Sequence, residues 1–337
     1  MAQIPIYKDL IEKKTLFDNE DFFIINTKAD LDRWFRFYSS DFKRENAVDF
    51  IFRGISEAKY KLYTSAQRLW ITDNMNQWKN EYSYKDFIEN MIIKAKANPL
   101  LKKIFDLYDY SDEDRDFPII CLLQHYGAPS PVLDWTYNID CAVFFATDNV
   151  IRNPKVKTNS IENYISIYSI HKKELTRQGE LLNLNDISEK NYPSFNSIRN
   201  LGNEDNPNSN TLFILSDFEK SIHENNLLEF ENRKLKVRST KPMTSVFNQN
   251  IIAQEGLLMY NPFQDRPIEQ LFNVNPLGEG QNLHLKPFKC FNIHKDLTEY
   301  LRRLIENKKG IKKSYVYPHL YDDAKAVKEA VLNSLVM

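Results

Sequence analysis

Residues 122–147 constrain the fold of this chain most, because a few polar side chains are set into an otherwise apolar stretch, LLQHYGAPSPVLDWTYNIDCAVFFAT. From Thr136 onward, apolar residues recur at intervals of three and four residues, which predicts a helix that is nearly all buried. His125, Asp134 and Thr136 crowd around the turn before that helix. A hydrophobic core alone does not require them, so we expect these side chains to converge on a site.

A second apolar segment with a polar residue set into it, IFRGIS, occupies residues 51–56. It ends a strand predicted over residues 48–54, so Arg53 lies at a strand end beside Gly54. The arginine fork matches a phosphate or a carboxylate, and a glycine lets a ligand approach the backbone closely. An internal salt bridge to one of the many acidic residues is the competing interpretation of Arg53.

The remaining pattern predicts an α+β protein with a mixed or split β-sheet and flanking helices. We expect one domain over residues 1–337, with a helical N-terminal portion at 1–45 and a polar insertion at 183–210. In the N-terminal portion Asp30 is the expected helix cap. The other expected elements are strands at 132–136, 163–172, 211–217, 251–261 and 285–293, and helices at 82–108, 295–307 and 322–335.

Composition argues against several classes of protein. The formal net charge is −1, so nothing global favours binding to duplex nucleic acid. Only 8 glycines occur, and neither GxGxxG nor GxxxxGK[ST] is present. Three scattered cysteines and six histidines without metal-ligand spacing predict no metal site. No apolar run reaches 18 residues, and the N-terminus does not read as a signal peptide, so we expect a cytoplasmic protein that does not bind membranes.

Each candidate residue also has a structural interpretation. His125, which Tyr126 follows in the sequence, could be a base or a donor to a ligand, or it could cap the C-terminus of a helix. Asp134 and Thr136 could cap the helix that follows, and Thr136 could also contact an anion or a ribose there. Gln254 and Glu255 lie in a stretch predicted as a strand, so alternation turns one of them inward as a candidate base. An outward, solvated Glu255 is the alternative.

Four motifs in order resemble the FRG domain, named for its Phe-Arg-Gly signature: IFRGIS, YKLYTSAQR (60–68), LLQHYGAPSPVLDWT with CAVFFAT after it, and AQEGLL (253–258). The tail GIKKSYVYPHL (310–320) resembles the end of the same family, so the resemblance spans about residues 27–330. One departure is visible, because Ser130, Pro131 and Val132 stand where the family usually reads Thr-Arg-Leu. The family's settings imply a toxin-like or phage-defence protein of bacteria.

The order of motifs is also similar to that of ADP-ribosyltransferases, which carry an arginine on a first strand, a Ser/Thr strand before an Ala/Phe-rich helix, and a glutamate on a late strand. The similarity implies that Arg53 holds an NAD phosphate or ribose, and that Thr136 braces the nicotinamide-ribose side while a Tyr or Phe stacks on the nicotinamide ring. Gly54, Asp134 and Tyr126 are further expected cofactor-binding residues. Glu255 or Gln254 would bond the ribose 2′-hydroxyl and stabilise the cation formed as nicotinamide leaves. His125 would orient the site or assist proton transfer. Gln254 and Glu255 are adjacent, whereas many members separate these two positions by one residue.

The function expected from these resemblances is a toxin-like or phage-defence effector that uses NAD as a substrate. It would ADP-ribosylate RNA, DNA or protein, and a cognate antitoxin or chaperone would restrain it. Two other functions stay open on the sequence. One is a nuclease, and the other is a non-catalytic module that binds an anion or a partner through Arg53 and the QHYG turn.

Overall fold

The structure is a computed structural model of the 337-residue chain. It describes residues 2–39, 50–75, 83–107, 116–125, 127–150, 152, 159–171, 213–217, 228–231, 234–237, 249–261, 263–273 and 288–317. The sequence-predicted polar insertion at 183–210 and helix at 322–335 lie outside these ranges.

A seven-stranded mixed sheet organises the fold, in the order β1-β9-β4-β2-β3-β8-β5. β1 and β9 are parallel, and the other neighbours in this sheet are antiparallel. The prediction of an α+β protein with a mixed sheet is therefore confirmed. The strands are β1 (Phe22–Ile25), β2 (Phe50–Ile55), β3 (Val132–Thr136), β4 (Tyr164–His171), β5 (Phe213–Asp217), β8 (Gly256–Tyr260) and β9 (Phe288–His294). β6 (Leu228–Glu231) and β7 (Lys234–Val237) pair in a separate two-stranded antiparallel sheet.

Helices flank the sheet, and several begin at side-chain caps. Thr64 and Ser83 each form a capping box, in which the cap and the third helical residue satisfy each other's backbone N–H groups. The helices are α1 (Leu10–Lys14), α2 (Lys28–Tyr38), α3 (Ser65–Thr72), α4 (Tyr84–Lys96), α5 (Pro99–Leu107), α6 (Asp116–His125), α7 (Ile139–Thr147), α8 (Gln249–Ala253), α9 (Thr298–Lys309) and α10 (Lys313–Val316), with 3₁₀ turns at Ile161–Asn163, Ile268–Asn273 and Lys295–Leu297. None of these described helices is long and apolar enough to span a bilayer.

The two faces of the sheet differ in what covers them. Residues directly opposite in an antiparallel pair share a face, so Phe52 and Thr136 lie on the same side. We call this side the helical face, because residues of α2, α7 and α9 pack over one half of it and residues of α3, α4 and α6 over the other half. Ile51, Trp135 and Tyr168 face the opposite side, where they pack with the N-terminal segment and the Ile268–Asn273 turn. We call that side the N-terminal face.

The backbone of β2 touches the backbone of α7 at Gly54. A Cβ atom built on Gly54 would lie 1.9 Å from the carbonyl oxygen of Ala142 and 2.9 Å from the amide nitrogen of Ala146. No side chain larger than hydrogen fits in that space. Gly54 therefore sets the distance between α7 and the centre of the sheet.

The N-terminal portion at residues 1–45 is not wholly helical. β1 (Phe22–Ile25) lies between α1 and α2 and pairs with β9. The cap of α2 is Thr27, whose hydroxyl oxygen accepts a hydrogen bond from the Asp30 amide, so the prediction that Asp30 is the cap is wrong by three residues. A four-residue strand is too short for its alternation to stand out from a helical pattern.

The Gly54 contact generates a stability prediction. We expect Gly54→Ala to lower the free energy of unfolding by about 3 kcal/mol or more, because the helix or the strand must move to admit the methyl group. Gly310→Ala is the matched control: it also replaces a glycine, at a φ of +70°, but no atom lies within 4 Å of the added Cβ. Its expected cost is about 1–2 kcal/mol, from backbone conformation alone.

Denaturant unfolding of the three proteins measures both costs. Equal stability losses for the two variants would show that the contact between β2 and α7 is not tight.

Candidate functional site

The sheet opens between β2 and β3, where the two strands share one register pair, Phe52 opposite Thr136. On its other edge β2 pairs with β4 at six positions from Phe50 to Ile55. The side chain of Arg53 occupies the gap, and its Nη1 donates a hydrogen bond to the main-chain carbonyl of Asp134. Arg53 therefore takes the place of the missing backbone pairing between the two strands.

Arg53 carries an incompletely satisfied positive charge. Its Nε is buried and has no hydrogen-bonding partner within the described ranges, and no carboxylate there lies within ion-pair distance. Burial lowers the pKa of the guanidinium, the nearby charge of Asp134 raises it, and the positive charge of Arg68 lowers it again. The competing interpretation of Arg53, an internal salt bridge, finds no support among the described residues.

Asp134 does not cap α7, as the sequence had suggested. It lies within β3, two residues before the strand ends, and its carboxylate accepts a hydrogen bond from Gln124 Nε2. The Oε1 of the same Gln124 accepts a hydrogen bond from the Ser130 hydroxyl. The polar residues of the QHYG and LDWT strings thus fix α6 against β3 through a chain of side-chain hydrogen bonds.

α6 ends in a left-handed turn at Gly127. Gly127 has a φ of +71°, and the amide of Ala128 donates to the carbonyl of Leu123 at 2.9 Å. A left-handed residue beyond the last helical turn is a common helix ending, and glycine adopts it without strain. His125 is the last residue of α6, but its side chain and all of Tyr126 lie outside the described part of the chain.

Glu255 is held at the start of β8 beside the N-terminus of α7. Asn138, the N-cap of α7, donates from its Nδ2 to Glu255 Oε1 at 2.8 Å, while the amide of Tyr137 donates to the Glu255 carbonyl at 2.9 Å. Glu255 has a φ of +48°, in the left-handed region that non-glycine residues rarely adopt. Its Oε2 accepts no hydrogen bond from the described residues, so one carboxylate oxygen is left for a ligand.

Thr136 supports this arrangement and does not face outward. It is buried, at 2% exposure, and ends β3 two residues before the cap of α7. Its hydroxyl donates to the main-chain carbonyl of Gln254 and accepts from the amide of Asn138 at 2.9 Å. Its one hydrogen-bond donor is used within the protein. The N-cap of α7 is Asn138, so the expectation that Thr136 caps α7 is wrong.

Gln254 and Glu255 are not part of a strand. α8 ends at Ala253, and the two residues form the turn that leads into β8. Gln254 Nε2 donates to the carbonyl of Val316 at 3.1 Å. The argument from strand alternation is therefore wrong, and the left-handed backbone of Glu255 determines which way its carboxylate points.

The predicted site residues do not form one cluster. Arg53 lies on the N-terminal face, because Ile51 on the same strand packs there and Tyr168 is its register partner. Thr136 lies on the helical face, and Glu255 is bound at the end of that face beside α7. Arg53 and Thr136 lie on opposite faces, but both belong to the strands that border the gap between β2 and β3.

Asn138 was missed by the sequence reasoning, although a signal was present. It stands directly before the strongly apolar run that begins at Ile139, which is the position of an N-cap, and asparagine is among the preferred residues there. The two more distant candidates, Asp134 and Thr136, had been considered for the cap instead.

The N-terminal face carries a second group of buried charges near Arg53. The ammonium of Lys13 donates to Ala58 O, Ser166 Oγ and Asn292 Oδ1, at 2.9, 2.7 and 3.0 Å. Burial lowers the pKa of Lys13. The carboxylate of Glu269 accepts from the Tyr7 hydroxyl at 2.6 Å and from the Leu62 amide, and burial raises the pKa of this carboxyl. These contacts anchor the N-terminal segment to the sheet.

Within the described ranges, no group of three or more His, Cys, Asp or Glu side chains could hold a metal ion. The candidate site consists of two groups: Arg53 in the gap between β2 and β3, and Glu255 fixed beside the N-terminus of α7. Against known families, residues 48–155 match the FRG domain.

The match covers β2, α6, β3 and α7, and hence Arg53, Gly54, Asp134 and Thr136. It does not extend to Gln254 and Glu255, nor to the C-terminal segment that also resembles the family. No curated protein and no solved structure matches the chain.

The hydrogen bonds of Gln124 generate the next prediction. Gln124→Glu would place a carboxylate against that of Asp134, and we expect it to cost about 2 kcal/mol or more at pH 7. Like charges raise both carboxyl pKa values. The destabilisation should therefore shrink as the pH falls through those raised values and one carboxyl takes up a proton.

Urea unfolding at pH 7 and pH 5 measures both effects. Gln3→Glu, the same change at an exposed position, is the control and should be close to neutral at both pH values. A pH-independent loss in Gln124→Glu would contradict the contact with the Asp134 carboxylate.

Proposed function

We propose that the chain is an NAD-dependent ADP-ribosyltransferase that modifies a macromolecule. One observation carries the proposal: β2, β3 and β8 are neighbours in the sheet, in that order. These strands, or the turn directly before them, carry Arg53, Thr136 and Glu255, which are distant in sequence. The resemblance to ADP-ribosyltransferases requires these three positions to lie side by side.

The backbone of Glu255 supports its role as the catalytic carboxylate. A left-handed non-glycine residue is strained, and such strain concentrates at functional sites. The hydrogen bond from Asn138 Nδ2 fixes one oxygen of the carboxylate, and the other oxygen can accept the ribose 2′-hydroxyl. A carboxylate fixed in this way stabilises positive charge without having to reorganise.

The proposed reaction divides the work among the residues. The glycosidic bond between ribose C1′ and the nicotinamide nitrogen breaks, its electron pair leaves with nicotinamide, and the Glu255 carboxylate stabilises the ribosyl cation. A nucleophile of the acceptor then attacks C1′ and loses its proton. Arg53 binds the phosphates of NAD, while Thr136 positions the Gln254–Glu255 turn through its two hydrogen bonds and does not contact NAD.

The setting that we propose follows the FRG family: a toxin-like or phage-defence effector that acts in the cytoplasm. Its acceptor would be RNA, DNA or protein, and a cognate antitoxin or chaperone would restrain it. His125, at the end of α6, stays a candidate for orienting the site or transferring a proton.

A second candidate function is a binding module that holds an anion without chemistry. The observation in its favour is that Arg53 and Thr136 face opposite sides of the sheet. A ligand bound to Arg53 from the N-terminal face alone would not reach Glu255. Turnover of NAD separates the two candidates.

The test is incubation of the purified protein with labelled NAD and a bacterial lysate, with nicotinamide release and labelled acceptor measured separately. We expect Glu255→Gln to lower the rate of nicotinamide release by about 100-fold, because it removes the charge that stabilises the cation. Glu20→Gln, a change of the same kind at an exposed position, should leave the rate unchanged.

Unchanged release by Glu255→Gln would refute the role of this carboxylate. If the wild-type protein releases no nicotinamide, the binding module becomes the better account.

A further inference from the structure

The C-terminal part of the described chain returns to the candidate site. α9 ends at Gly310, whose φ of +70° turns the chain, and α10 follows after a short connection. Val316, in α10, is fully buried in the core of the helical face. The ring of Tyr317 packs edge-on against Phe144 of α7, with the ring centroids 6.3 Å apart. α10 and the residue after it therefore pack on the helix whose N-cap binds Glu255.

One side chain connects α10 to the turn that carries Glu255. Gln254 Nε2 donates to the carbonyl of Val316 at 3.1 Å, across 62 residues of sequence. Val316 is the last residue of α10, and the last carbonyls of a helix have no donor within the helix itself. Gln254 supplies the donor that the end of α10 needs, and α8, which Gln254 follows, is a neighbour of α10 in space.

The main chain of Gln254 is also bound on both sides. Its amide donates to the carbonyl of Asn250 at 2.8 Å, and its carbonyl accepts from the Thr136 hydroxyl. Three elements, α8, β3 and α10, thus hold this one residue. The next residue, Glu255, has a φ of +48°, and a residue in such a strained conformation persists only where its surroundings hold it. The hydrogen bonds of Gln254 supply part of that restraint.

The ionisable groups near α10 agree with this placement. Tyr315, one residue before Val316, is 39% exposed. Burial raises the pKa of its phenol, and the acidic groups of Cys141, Glu255 and Asp140 raise it further. Asp140 and Cys141 lie in the first turn of α7. α10 is therefore close to both the N-terminus of α7 and the Glu255 carboxylate, as the hydrogen bond from Gln254 requires.

We propose that Gln254 is a positioning residue: it ties the turn before β8 to α10 and thereby keeps the Glu255 carboxylate beside the N-cap of α7. The C-terminal segment at residues 311–317 then belongs to the candidate site, and displacement of α10 inactivates it. Gln254 acts through Glu255 and does not contact NAD. The inference rests on the proposed function for the reaction that Glu255 serves, whereas the tie between α10 and the turn is a property of the fold.

The kinetic test compares two changes at Gln254. Gln254→Met removes the donor to Val316 and keeps the length of the side chain. In the nicotinamide-release assay we expect it to lower kcat by about tenfold and to leave KM within about twofold of the wild-type value, because it misplaces a group that acts in the transition state and leaves Arg53 intact. Gln254→Lys restores a donor that reaches the same carbonyl, and we expect it to recover most of the lost kcat. Gln264→Met, the same change at an exposed position, is the control.

Hydrogen–deuterium exchange measures the tie without any substrate. The amide of Tyr317 donates to Lys313 O, and the amide of Tyr137 donates to Glu255 O, each at 2.9 Å, so these amides report on α10 and on the turn. We expect Gln254→Met to raise the exchange rates of both regions by about tenfold. Unchanged exchange in β9 shows in the same experiment that the fold is intact.

The positioning role is overturned if Gln254→Met keeps the kcat of Gln264→Met, or if KM rises as much as kcat falls. The tie itself is overturned if exchange in Gln254→Met is unchanged in either α10 or the turn. If the wild-type protein releases no nicotinamide, the transferase is refuted, and joint loss of protection in α10 and the turn still supports the tie.

Discussion

The backbone contact between β2 and α7 at Gly54 fixes the geometry on which both candidate groups depend. A strand and a helix approach this closely only where the strand has no side chain, and the Gly54 position meets the carbonyl of Ala142 directly. α7 is thereby seated on the centre of the sheet. Its N-cap, Asn138, is placed beside the start of β8, where it holds the Glu255 carboxylate. Gly54 thus contributes to the placement of Glu255 through α7 and its N-cap, and the pairing of Thr136 with Gly256 contributes through the sheet.

The Phe-Arg-Gly signature assigns one task to each residue. Phe52 fills the core of the helical face, Gly54 admits α7 on that same face, and Arg53 between them points to the other side. Strand alternation makes this division unavoidable, since neighbours in a strand face opposite ways. Phe52 and Gly54 of the signature therefore pack the domain, and the same strand places the charge of Arg53 on the opposite face.

The elements that the sequence predicted well are those whose pattern is local. β2, β3 and α7 were found from apolar runs and their period, and Gly310 ends α9 at a φ of +70°. The Gln254–Glu255 turn was not found, because Ile251 and its apolar neighbours, part of a short helix, read as the start of the strand that follows. The direction of Glu255 then depends on a positive φ, which no residue pattern announces for a glutamate.

The site residues show a similar limit. That Arg53 and the LDWT string belong together was predictable, since polar groups in apolar runs are unusual. What each does was not, because Asp134 and Thr136 both resemble helix caps until the true cap, Asn138, is known.

The gap between β2 and β3 buries the charge of Arg53, and a bound anion would offset the free-energy cost of that burial. Arg53 replaces the missing backbone hydrogen bonds with one of its own, but its buried Nε lacks a partner and its charge is disfavoured by burial. A hydrophobic residue would close the sheet without that penalty, as replacements of buried charges in proteins often show. An anion that binds only the folded state would stabilise it in proportion to the logarithm of its concentration. Binding of an anion, as we propose for Arg53, would offset the cost of burying this charge.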